Sequence, residues 1–111
     1  MPPGTIKTSE ERVKPLEQIL PDLRAYIAKE LSCGERMLAP EEMSLDIIVP
    51  HARLPIADTE LVILAAPYEE RVKKQDQISL NIKHYIQQTC PAAGSVYVWL
   101  MLGELGHSSD R

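Results

Sequence analysis

The chain has 111 residues, within the roughly 100–150 of one typical domain, so its length allows one hydrophobic core rather than two. Apolar residues make up 44% and charged residues 25%, a globular balance that argues against disorder and against a disulfide-stapled miniprotein. Twelve Lys and Arg against 16 Asp and Glu leave a formal charge of −4, which gives no basic field for a phosphate backbone and excludes nucleic acid as an expected partner.

Pro2 to Thr8 reads as a first strand, which Pro3 and Gly4, both poor strand formers, confine to a sheet edge or to a strand start. A helix follows, because Ile19, Leu23, Tyr26 and Ile27 fall on one face at helical spacing. Pro15 suits its first turn, where the missing N–H would be unpaired anyway. Pro21 is expected to kink the helix or to leave a main body from Pro21 to Ser32. Met43, Leu45, Ile47 and Val49 then alternate with Ser44, Asp46 and Ile48 as a second strand, and Thr59 to Ala66, closed by Pro67, reads as a third. Ile78, Ile82, Tyr85 and Ile86 predict a second helix from about Glu69 to about Thr89, stopped by Pro91. The last strand runs from Val96 to Leu102, with Tyr97, Trp99 and Met101 on its alternate face. That segment is far short of the roughly 20 apolar residues needed to cross a bilayer, and no apolar signal core follows Met1. A soluble, cytoplasmic protein with no membrane partner is expected.

An internal repeat orders these elements. Glu10 to Ile27 overlies Glu69 to Ile86 without a gap at an offset of 59, and Glu10-Glu11-Arg12-Val13-Lys14 recurs as Glu69-Glu70-Arg71-Val72-Lys73. Gln18-Ile19 and Tyr26-Ile27 recur as Gln77-Ile78 and Tyr85-Ile86. The expected fold is α/β (α+β), a duplicated β-α-β chain forming one domain of two pseudo-repeats, about 2–50 and 57–104. Right-handed crossovers put both helices on one face of a four-stranded mixed sheet. The chain is too short to cover the other face, so self-association is expected.

A duplicated β-α-β unit of this length beginning Met1-Pro2 resembles the tautomerase superfamily, especially its macrophage migration inhibitory factor and 5-carboxymethyl-2-hydroxymuconate isomerase branches. Pro15 near the first helix start, Ala39-Pro40 to Val49-Pro50 as second strand, and Ser95-Val96-Tyr97-Val98 as last strand carry the likeness. Glu104-Leu105-Gly106-His107 is similar to part of the shorter 4-oxalocrotonate tautomerase module. The resemblance implies a homotrimer and a cofactor-independent keto-enol isomerase acting on a small enol or 2-oxo carboxylate. Pro2 is then the base: a free prolyl amine is a stiff secondary amine whose protonated form is disfavoured by burial beside cations, and a base poised near working pH transfers protons best. This requires loss of Met1, since a retained methionine makes the Pro2 nitrogen an amide. Arg36, in the loop where the inhibitory-factor branch carries a lysine, is the expected clamp for substrate carboxylate. Tyr97 matches the tyrosine that reaches into a neighbouring subunit's site, where a phenol can donate to an enolate.

Two residues depart from that pattern. Trp99 stands where relatives are commonly polar, as a wall or a plug of a substrate pocket, and Asp46 stands where some tautomerases keep an arginine and would repel an anion. They favour a competing reading, a catalytically inactive trimer of the same fold acting as a binding or scaffold protein. Hydratase, dehalogenase or decarboxylase work through a cationic proline is a third reading. His51, His84 and His107 are each isolated, so neither a metal site nor triad chemistry is expected. Gly103 and Gly106 form no phosphate loop, and no cofactor is expected. Cys33 and Cys90 lack metal spacing and read as buried or helix-end thiols, and Arg12 and Arg71 as structural residues at helix starts.

Overall fold

The computed structural model describes residues 2–104; Met1, Leu105, Gly106 and His107 lie outside them. Four strands and three α-helices follow in the order β1 (Pro3–Lys7), α1 (Glu10–Leu31), β2 (Ser44–Ile48), β3 (Thr59–Ala65), α2 (Glu69–Lys73), α3 (Gln75–Thr89) and β4 (Val96–Leu102) among the described residues. Short 3-10 turns at Pro40–Glu42 and Pro91–Ala93 lead into β2 and β4. The sheet order is β2-β1-β3-β4. β1 and β2 are parallel, β3 and β4 are parallel, and β1 and β3 meet antiparallel in the middle. It is a mixed four-stranded α+β sheet, as the duplicated β-α-β order leads one to expect.

Alternation along the strands decides which side is covered. Ile6 on β1, Leu61, Ile63 and Ala65 on β3, and Val96 and Leu100 on β4 are buried and join Leu23 and Ile27 of α1 and Ile78, Ile82 and Ile86 of α3 in one core cluster. The alternate positions form the other face of the sheet, where Ile48, Tyr97, Trp99 and Met101 are exposed. Tyr26 and Tyr85, which correspond in the repeat, stack with ring centroids 4.2 Å apart where α1 and α3 meet.

Three local expectations need correction or refinement. Of the two settings allowed for the first strand, β1 takes the second: it lies inside the sheet, with Pro3 at its first residue, where a lost N–H is tolerated. Gly4 is closely packed, since a Cβ there would stand 3.1 Å from Leu45 Cδ1 and the leucine would have to give slightly. Neither proline interrupts α1, which runs unbroken over 22 residues, and Pro15 is well inside rather than in the first turn. Pro21 and Glu17, whose carbonyl loses its helical partner, are both on the exposed side, so the loss falls towards water while Leu16, Leu23, Ile27 and Leu31 hold the buried side. The second helix is divided at Lys74, whose backbone (φ −108, ψ 13) leaves the helical region. The break follows the anchoring of α2 by Arg71, which bonds out of its helix to the carbonyls of Leu31 and Ala66.

Candidate functional site

The register fixes which sequence-predicted site residues can meet. Gly4 pairs with Ile63 and Ile63 with Leu100, so Pro2 lies level with the Ala65 and Leu102 end of the sheet. There it is buried, and its carbonyl accepts the Ser44 N–H at 3.3 Å, tying the chain start to β2. Placing the second residue of the chain against an interior strand end is what a fixed, partly dehydrated terminal group would need.

Arg36 comes to the same end of the molecule. The loop after α1 is closed by two backbone hydrogen bonds between Cys33 and Arg36, and the Arg36 guanidinium pairs with Glu42, two residues before Ser44. Glu42 also accepts the Ala39 N–H at 2.9 Å. That backbone donor first, and Arg36 second, hold its carboxyl below the usual carboxylate range. Arg36 is therefore already paired, and a substrate carboxylate would have to share it with Glu42.

Tyr97 and Trp99 are elsewhere. Both lie on the exposed sheet face of β4, an edge strand, each 43% exposed, with ring centroids 4.8 Å apart. Tyr97 pairs with Glu60 and Trp99 with Val62. Tyr97 precedes Leu102 by five residues, which at a rise of about 3.3 Å puts it roughly 17 Å along the strands from the level of Pro2, and two strand spacings of about 4.8 Å across. Within one chain Pro2 and Arg36 share an end, and Tyr97 and Trp99 do not reach it. Asp46 is exposed on the same sheet face, in the register row Asp46, Thr5, Val62 and Trp99.

The repeated arginines prove more than helix-start residues. Arg71 is only 3% exposed, with Nε donating to the Leu31 carbonyl at 2.8 Å, Nη1 to Ala66 at 3.1 Å, and its guanidinium 4.9 Å above the Tyr68 ring. Burial lowers its pKa, and the neighbouring Arg36 charge pushes the same way. Its counterpart Arg12 lies 3.6 Å from Asp58. Asp58 is held below the usual range by the Ser95 N–H and hydroxyl, and then by Arg12. The recurrence of the two arginines was the only signal for this pair in the sequence, and it does not show that one has a carboxylate partner and the other has none among the described residues. His51 and His84 are exposed, and no three of the described His, Cys, Asp and Glu residues gather as a metal site. Cys33 and Cys90 are buried thiols.

No protein-family model and no curated protein matches the chain. Solved structures do. A protein of unknown function from Vibrio cholerae O1 biovar eltor is 19% identical, with 98% of this chain and 84% of that one covered and a TM-score of 0.70. A macrophage migration inhibitory factor-like protein from Entamoeba histolytica is 10% identical, covering 96% and 95%, with a TM-score of 0.64. Malonate semialdehyde decarboxylase, described with decarboxylase and hydratase activities, is 9% identical, covering 97% and 92%, with a TM-score of 0.61. Identities this low speak for the fold alone, and the fold is the one shared by the inhibitory factor-like protein and the decarboxylase. Among the described residues, no helix is long and apolar enough to cross a membrane.

Proposed function

We propose that the chain, one domain of two β-α-β pseudo-repeats, is a cofactor-independent tautomerase that works as a cytoplasmic homotrimer on a small enol or 2-oxo carboxylate. The observation that carries this is the burial of Pro2 at an interior strand end beside the loop of Arg36, in a fold that resembles those of an inhibitory factor-like protein and a decarboxylase. With Met1 removed, the Pro2 amine takes a proton from the enol oxygen or the α-carbon and returns it to the other. Arg36 exchanges part of its pairing with Glu42 for the substrate carboxylate. The distance of Tyr97 from Pro2 in one chain supports its acting from an adjacent subunit, as donor to the enolate, with Trp99 beside it as pocket wall.

The neutralisation of Arg36 by Glu42 favours a second reading, a trimer of the same fold that binds without turnover. A Pro2→Ala variant separates the two. Proton exchange at the α-carbon of 2-oxo carboxylates, followed by NMR, is expected to fall by at least about 100-fold, the usual scale of a lost general base. Equal exchange in both proteins would remove the enzymatic reading.

A further inference from the structure

We propose that the groove between the end of α1 and the start of α2 and α3 binds a small oxyanion, a carboxylate or phosphate group, on Arg71. The groove has a volume of about 380 Å³, within the roughly 300–1,000 Å³ typical of small-molecule sites, and Lys29, Arg71 and Lys74 supply its cations. Pro2, Arg36, Tyr97 and Trp99 do not line it, while Cys33, whose backbone pairs with that of Arg36, does, so the groove adjoins the Arg36 loop without containing those four residues.

The donors of Arg71 carry the argument. A guanidinium offers five N–H groups in a rigid fork. The carbonyls of Leu31 and Ala66 engage Nε and Nη1 and fix the fork, while Nη2 has no acceptor among the described residues. Nη2 is not sealed in protein either, since the one fully buried side-chain nitrogen or oxygen without a partner among the described residues is Nε of Arg12. Because Arg71 is 97% buried and lines the groove, that free edge opens into it.

No carboxylate among the described residues lies within ion-pair distance of Arg71, and the acids nearby are engaged. Glu70 bonds the Gly34 N–H at 3.4 Å and Lys74 at 3.6 Å, and Glu30 accepts from Asn81 at 2.9 Å. The repeat supplies an internal control, because Arg12 has Asp58 at 3.6 Å. A buried cation without a counter-charge is costly, and an oxyanion is the species that a free guanidinium edge takes best.

The test is a proton–nitrogen-15 NMR titration of the full chain with inorganic phosphate and, separately, with succinate. Saturable shifts at the amides of Gly34, Glu70 and Ile78 are expected, and whichever anion binds tighter identifies the phosphate or carboxylate source. Arg71→Gln is expected to abolish saturation. Should that variant not fold, Lys29→Glu with Lys74→Glu, both at exposed positions, is expected to weaken binding about tenfold or more by repulsion. Absence of saturable shifts with both anions, or affinity unchanged in the lysine double variant, would overturn the proposal.

Discussion

Single residues set the two ends of the sheet differently. At one end Gly94 takes φ 72, and a Cβ there would fall 2.4 Å from Asp58 Oδ2, the oxygen that accepts both the N–H and the hydroxyl of Ser95. Gly94→Ala is expected to cost about 1–3 kcal/mol, from the strained backbone and the displaced carboxylate together, read as a lower midpoint in urea unfolding. An unchanged midpoint would show that the turn is not held this way. At the other end Arg36 was legible in the sequence as a loop cation, but its partner Glu42 was not, because the pair forms only once the loop folds back across the 3-10 turn before β2. Arg71 was legible as a repeated residue, whereas its burial and its bond to the Leu31 carbonyl depend on packing between α1 and α2 that no spacing rule encodes.

At the scale of elements, periodicity located β2, β4 and both helical segments because each buries one face on the sheet, while apolar composition gave β3 and the repeat gave β1. It misjudged interruptions. Local rules let Pro21 kink or divide the helix, and the buried stripe from Leu16 to Leu31 carries α1 through it undivided, while the break at Lys74 carries neither Pro nor Gly to announce it. A proline inside a helix costs about 3 kcal/mol, offset in part by the restricted unfolded chain, roughly 0.4–1 kcal/mol. Pro21→Ala, at an exposed position, is therefore expected to raise stability by about 2–3 kcal/mol and to raise the thermal midpoint. A fall in midpoint would mean that the proline is part of how α1 packs.

For the whole molecule, the exposed face of the sheet and the distance between Tyr97 and Pro2 lead to the same requirement: the proposed site is complete only when chains associate. Trp99→Glu puts a charge on that face, at its β4 edge, without touching the core cluster. In sedimentation velocity it is expected to convert the proposed trimer to a folded monomer, and a variant that still sediments as a trimer would place the interface elsewhere. The sequence could suggest association from an uncovered sheet face, but not which copy's strand meets which, since register between chains leaves no periodicity within one. The central claim is that Pro2 is a working base, and a nitrogen-15 NMR titration of the Pro2 nitrogen, in protein purified without an N-terminal tag, tests it most directly. A titrating secondary amine with a pKa below the roughly 7.7–8.0 of an ordinary terminal amine is the predicted result. A nitrogen that does not titrate would mean that it remains an amide, and would contradict the account.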